Sequence, residues 1–305
     1  MSSVPAGLAP RKSVASGAAV LFAIAAIIWG STWLAIKFQL GSVAAEASVT
    51  YRFALAALIL ALWCAVTRRS LRFPARVHAM LLAQGALMFG INYIAVYKAE
   101  EHIASGLVAV LFSSVVFMSL FGTRIAFGTP ITGRAMLGAM LGVGGVALLF
   151  LPQLAGSGAG RGVLVGIAYG LAAPLLSTGG NLVSMRMQRE HLPILQTTAW
   201  GMAYGALLAA IIATLSGVPW RFDWTPPYVA SLLYLALFGS VIAFGTYLTL
   251  LKRIGAGASS YVAVATPVLA MLLSSAVEDY RWTAAGVCGI ALAIIGNVLV
   301  LRKPA

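Results

Sequence analysis

Charge is what this chain has least of. Only 9% of its 305 residues are Asp, Glu, Lys or Arg, and just seven of them are acidic. Soluble domains carry about 25% charged residues, so a water-soluble fold of this length is excluded. Histidine and cysteine are nearly as scarce, at three and two. His78, His102 and His191 are scattered over separate loops, so the sequence offers no metal-ligand cluster and no nucleophile–base pair. A phosphate-binding loop is also missing. No cofactor, metal or catalytic residue is therefore expected. Cys64 and Cys288 fall in different apolar stretches near opposite membrane faces and cannot pair.

What is there in abundance is apolar length. Sixty-one per cent of residues are hydrophobic and the mean hydropathy is +0.97. Runs of about 20 apolar residues cross a hydrocarbon core of about 30 Å, and the alternating ten-residue segments of a β-barrel are absent. The chain reads as an all-α polytopic membrane protein with ten transmembrane helices. Spans are expected at 16–37, 46–66, 77–97, 104–121 and 133–151, then at 161–184, 193–215, 227–251, 257–276 and 283–301. The first is too long for the apolar core of a signal peptide, about 7–15 residues, and is read as retained. The expected parts are a tail at 1–15, five helices in 16–152, a linker at 153–159, five helices in 160–302 and a tail at 303–305.

The net charge of +13 does not point to nucleic acid, because no soluble segment is long enough to hold a basic patch. The basic residues sit at span ends instead. With the N-terminus inside, Arg68, Arg69, Arg72, Arg76, Arg124, Arg134, Arg186 and Arg189 fall on inner loops. Glu46, Glu100, Glu101, Asp223, Glu278 and Asp279 fall on the outer side, with Trp220, Trp224, Tyr280 and Trp282 as an interfacial belt. Both termini are expected in the cytoplasm of a bacterial-type inner membrane.

The two halves look alike. Sliding the sequence by 151 positions lays Ile103-Ala-Ser-Gly106 on Ile254-Gly-Ala-Gly257. In the same frame Thr132 meets Thr283, Gly138 meets Gly289 and Gly145 meets Gly296. A five-span unit repeated once enters the membrane from the opposite side, which predicts two inverted repeats related by an in-plane pseudo-two-fold axis.

Short motifs then resemble a known family. Ile28-Trp-Gly-Ser-Thr-Trp-Leu-Ala-Ile-Lys37 resembles the first-span signature of the drug/metabolite transporter superfamily, EamA type. Tyr51-Arg-Phe53, Thr266-Pro267, Glu278 and Thr283 are similar to its second, ninth and tenth spans. The five-plus-five layout is similar to that of the YddG-like amino-acid exporters. The resemblance implies export of small metabolites, amino acids and aromatic ones among them, by alternating access through a central cavity. Two departures stand out: Ser113-Ser114 replaces a proline that would match Pro267, and Ala173-Pro174 stands where relatives often have tryptophan.

Every acid and every histidine is expected at or near a span end, so no buried carboxylate offers itself for ion coupling. Arg52, about six residues into the second span, has two readings. It snorkels to the interface or pairs with Glu46, Glu100 or Glu101, or it faces the cavity and attracts a substrate carboxylate. The remaining substrate-binding candidates are uncharged and lie toward mid-span: Trp29, Thr32, Asn92, Tyr93, Ser113, Ser114, Tyr169, Ser177, Tyr247, Tyr261 and Thr266, with Trp33, Tyr97 and Ser240 in the same zone. Serines and threonines there serve a helix carbonyl as readily as a ligand. Pro174 and Pro267 break helix hydrogen bonds and are hinge candidates. Gly138-x-x-x-Gly142, Gly166-x-x-x-Gly170 and Gly201-x-x-x-Gly205 allow close packing within one chain or in a homodimer. The competing readings are efflux of drugs or cations and, from another class, an intramembrane enzyme. The enzyme would need paired carboxylates or a His/Ser/Asp group at one depth, and it is disfavoured. The expected partners are a small-molecule substrate and membrane lipid.

Overall fold

A computed structural model describes residues 11–155, 160–247, 249–250, 253, 261–278 and 280–301. Among these residues every regular element is helical. Nine helices are long and apolar enough to cross a membrane, and a shorter apolar one joins them. They are α1 (Arg11–Lys37), α2 (Ala45–Val66), α3 (Ala75–Glu100), α4 (Ser105–Phe127) and α5 (Gly133–Ala155) in the first half. The second half has α6 (Arg161–Arg189), α7 (Ile194–Leu215), α8 (Pro226–Tyr247), α9 (Val262–Val277) and α10 (Ala284–Leu301). The chain is a polytopic α-helical membrane protein.

Helix bounds depart from the apolar runs where a helix continues into polar sequence. The first helix already starts at Arg11, inside the expected tail, and α5 reaches Ala155, inside the expected linker. The sixth ends at Arg189 because Arg186 and Arg189 in its last turn suit the negative end of the helix dipole. At 16 residues α9 spans about 24 Å, and its expected start at 257 lies outside the described residues.

Local chemistry sets the ends. Pro74 and Pro193 precede α3 and α7, and Pro226 opens α8, positions where a missing N–H costs nothing. Gly128, at φ +70°, closes α4 by donating its N–H to the Arg124 carbonyl. Thr132 and Thr283 do the same job in the two halves: their hydroxyls accept the N–H groups of Ala135 at 3.2 Å and Gly286 at 3.0 Å. That shared threonine is an N-cap, worth about 1 kcal/mol.

One end of the bundle gathers the α1–α2, α3–α4 and α7–α8 loops with the last residues of α5 and α9 and the first of α6 and α10; we call it the linker end. The other end holds the α2–α3, α4–α5 and α6–α7 loops and is the termini end. Helices α5 and α10 pack antiparallel, Gly138 beside Gly296 and Gly145 beside Gly289. A Cβ on Gly145 would lie 2.5 Å from the Gly289 carbonyl oxygen, so only glycine lets these backbones meet. Gly201 and Gly205 bring α7 against α3 in the same way, and Gly166 and Gly170 receive Ile103 and Leu111. The described glycine pairs thus serve packing inside the chain.

Three helices are irregular in mid-course. A π-helical stretch, Gly85–Gly90, interrupts α3, and another, Leu235–Ile242, interrupts α8. In α4 the helix tightens at Ser113-Ser114, where the Ser113 N–H is shared between the Ala109 and Val110 carbonyls and the Ser114 N–H turns to Leu111. No proline is needed there. The Ser113 hydroxyl bonds the Val110 carbonyl at 2.7 Å, the back-bonding that bends helices.

Candidate functional site

Helices α1, α3, α4, α6, α8 and α9 enclose a cavity of about 260 Å³. Its wall is mostly aromatic and aliphatic: Trp29, Trp33 and Ile36 on α1, Met88, Phe89, Tyr93 and Val96 on α3, Phe112 on α4, and Phe244 and Tyr247 on α8. The rings brace one another. Trp29 packs edge-on to Phe244 at 5.4 Å and against Tyr247 at 5.3 Å, and Trp33 meets Phe112 at 5.3 Å. The irregular helices serve the wall directly. The Trp29 indole N–H donates to the Gly239 carbonyl inside the α8 π-stretch at 3.2 Å, an acceptor such a bulge frees.

Of the candidates named from sequence, Trp29, Thr32, Asn92, Tyr93, Ser113, Ser177, Tyr247 and Thr266 meet on this wall, with Pro267 beside them. Arg52, Ser114, Tyr169, Tyr261 and Pro174 do not line it. Tyr169 is exposed on α6, and the Ser114 hydroxyl turns to the Met118 sulfur. Pro174 is buried in α6, and its carbonyl accepts from Thr178 at 2.8 Å. Pro267 cannot donate to the carbonyl one turn back, Ala263, which also lines the cavity. Sequence reasoning passed over Asn181, Met88, Phe89, Phe112 and Phe244. Apolar residues carry no signal in a chain this hydrophobic, but an asparagine within a span is rare enough to have flagged Asn181.

Three hydroxyls on the wall, those of Thr32, Ser113 and Thr266, are satisfied by their own helices. Thr32 donates to the Trp29 carbonyl at 2.8 Å and Thr266 to that of Val262 at 2.8 Å. Two buried wall atoms have no hydrogen-bond partner: the Trp33 indole nitrogen and the Asn92 side-chain oxygen, whose amide nitrogen donates to Met88. None of the described lining residues is charged.

Arg52 neither snorkels nor enters the cavity. It is 1% exposed, with its guanidinium carbon 4.6 Å from the Tyr93 ring centre and 5.1 Å from that of Phe53. Its Nε reaches the Ser240 hydroxyl at 3.5 Å, and one terminal nitrogen has no hydrogen-bond partner. The charge therefore sits one ring behind the wall.

The EamA-like transporter family model matches the chain twice, at residues 16–151 and 164–302. The chain belongs to the EamA-like transporter family. As a member it is a transporter and not an enzyme. The chain is similar to the inner membrane transporter YedA of Escherichia coli K12, itself called uncharacterized, at 29% identity over 91% of this chain and 90% of that one. YoaV of Bacillus subtilis, also called an uncharacterized transporter, is 23% identical over 80% and 83%. A solved crystal structure 19% identical superposes with a TM-score of 0.66 over 93% of this chain and 96% of that chain, which establishes the shared fold.

The linker end of this EamA-like transporter is tied by charges. Lys37, one residue past the wall residue Ile36, reaches the Glu278 carboxylate at 3.5 Å. It also donates to the backbone carbonyls of Glu100 at 2.6 Å and Ile103 at 3.2 Å. Glu278 in turn takes the Ser105 N–H at 3.1 Å and its hydroxyl. These contacts join α1, α3, α4 and α9 across one end of the cavity. The expectation that no acid would be buried is overturned here. Glu100 is 0% exposed and neither carboxyl oxygen has a hydrogen-bond partner, while Glu46 is also buried. Sequence position placed Glu100 correctly at a helix end; packing against the neighbouring helices is what buries it.

Proposed function

We propose that the protein exports small zwitterionic metabolites, aromatic amino acids first among them, by alternating access. One observation carries the reading: on the aromatic, uncharged wall two buried groups lack a hydrogen-bond partner, a donor, the Trp33 N–H, and an acceptor, the Asn92 oxygen. That pair suits a solute that is neutral overall and carries a carboxylate and an ammonium. About 260 Å³ suits a small solute. Arg52 biases the cavity toward carboxylates from behind Tyr93. Pro267 is the hinge beside the site and Pro174 a second hinge within α6. Ser114, Tyr169 and Tyr261 join the path in another conformation.

Two inverted repeats, 16–152 and 160–302, supply the two states in this reading. Three features support them. Shifted by 151 positions, the glycine contact 138–296 becomes 289–145, the other contact of the same helix pair. A two-fold axis generates such a swap. The third helix of each half carries the π-stretch, and the fifth of each is capped by a threonine. Both termini lie in the cytoplasm, the linker end faces outward, and the membrane is the inner one, as YedA's name has it for that protein. The cavity is built within one chain, so a monomer suffices and a homodimer is not required.

A second reading, efflux of aromatic cations, draws on the same rings, which also attract cations. Counterflow in proteoliposomes with labelled phenylalanine and with tetraphenylphosphonium separates the two. Phenylalanine counterflow is expected, with Trp33→Phe lowering it about tenfold, since a hydrogen bond to a charged group contributes about 1.5–3 kcal/mol. Cation counterflow without phenylalanine counterflow refutes the amino-acid reading.

A further inference from the structure

We propose that Glu100 is a proton-binding site that locks the linker end shut: protonated, it permits closure, and ionised, it opens that end. The proposal rests on the alternating-access reading but not on which solute is carried. Glu100 lies one turn beyond the wall residue Val96, on the same face of α3. Its carboxyl is wholly buried and receives no hydrogen bond. An ionised carboxylate there is a buried charge without a donor, which membrane interiors scarcely tolerate.

None of the neighbouring charges donates a hydrogen bond to the Glu100 carboxyl. The groups whose charge reaches Glu100 are Lys37 on α1, Arg52 on α2, Glu278 on α9 and Tyr97 on its own helix. Lys37 is held by Glu278 and by two backbone carbonyls, one of them that of Glu100 itself. Arg52 is held over the Tyr93 and Phe53 rings. Tyr97 donates its hydroxyl to Gln39 at 2.7 Å. Glu278 carries the same sign and opposes a second negative charge. Closure therefore holds an acid where no group donates to it, and a bound proton removes its charge.

Opening reverses each condition. Parting α1 from α9 frees Lys37 from Glu278 and admits water to Glu100. The acid then gives its proton to water on the linker side, and the carboxylate pairs with the freed ammonium. One proton linked to one two-state equilibrium shifts that equilibrium by at most about tenfold per pH unit.

The test reads access to the cavity from the linker end in the full chain, reconstituted after both native cysteines are replaced by serine. Ala109→Cys, on the cavity wall, is labelled with a membrane-impermeant maleimide from that face. Labelling, corrected for the reagent's own pH dependence on an exposed control cysteine, is expected to rise with pH. Glu100→Gln, a mimic of the neutral acid, is expected to stay closed and lose the pH dependence, and Glu100→Asp to restore it. Infrared difference spectra between acid and alkaline pH are expected to show a carboxylic-acid band that Glu100→Gln removes. If Glu100→Gln keeps the pH dependence, or opens the linker end at every pH, the proposal is overturned. Because labelling and infrared bands need no solute, failed counterflow would count against the transport reading alone.

Discussion

The two ends of the bundle are tied by different chemistry at matching places in the chain. At the linker end Lys37, closing α1, holds Glu278, closing α9, with side chains 27% and 13% exposed. At the termini end Arg189, closing α6, lies 3.9 Å over the ring of Phe127, closing α4. Sliding by 151 positions puts Glu278 on Phe127 and brings Lys37 to the residue beside Arg189. One end thus has a partly buried ion pair backed by Ser105 and two carbonyls, the other an exposed cation against a ring. Charges taken from water attract strongly and suffer badly when unpaired, whereas an exposed cation–π contact contributes about 0.5–1 kcal/mol. In the alternating-access reading proposed above, the difference makes the linker end the harder one to open.

The largest expected effect comes from breaking the strong latch. Lys37→Ala leaves Glu278 partly buried without its cation. A loss of up to about 3 kcal/mol is expected, the low end for breaking a buried pair because Lys37 keeps some exposure. Maleimide labelling of Ala109→Cys from the linker face should rise up to about a hundredfold. No rise would mean that this contact does not hold the end closed.

Exchanging the acceptor sharpens the same comparison at the termini end. Phe127→Ala should change the melting temperature of the detergent-solubilised protein by only a degree or two, in line with about 0.5–1 kcal/mol. Its effect on labelling from the linker face should be nil. An effect as large as that of Lys37→Ala would remove the asymmetry.

The smallest effect lies at the rim of the linker end, outside the spans. The Ser42 hydroxyl at 2.5 Å and the Thr225 N–H at 2.8 Å hold Asp223 below the usual carboxylate range. A lowered value means the folded state favours the ionised form, so this stabilisation is present above about pH 4. It is lost as pH falls through the lowered value. Ser42→Ala should melt slightly below the unaltered protein near neutrality and converge with it in acid. A deficit that persists unchanged in acid would assign the effect to packing.

The eight candidates that meet on the cavity wall were legible because polar and aromatic side chains stand out against an apolar background. Thr132 and Thr283 were legible as a matched pair, though capping became their reason only once the N–H groups of Ala135 and Gly286 were placed. Arg52 was legible as unusual but not as to where it points. A seven-bond side chain reaches water, cavity or ring with equal ease, and the position of Tyr93 decides among them. The π-stretches gave no sign, since they depend on α3 meeting Gly201 and Gly205 on α7 and on α8 lying against α2.

By itself the sequence determined a ten-helix membrane protein, because apolar length and loop charge act locally, span by span, against the fixed thickness of a bilayer. Its short motifs also sufficed to point to the family. The tertiary structure alone decided which side chains share a cavity, that Arg52 stands behind it, and that Glu100 is sealed from water. Burial and pairing depend on which helices touch. In a chain apolar on nearly every face, hydrophobic pattern does not say which face meets which neighbour; that is left to glycine contacts and side-chain shape.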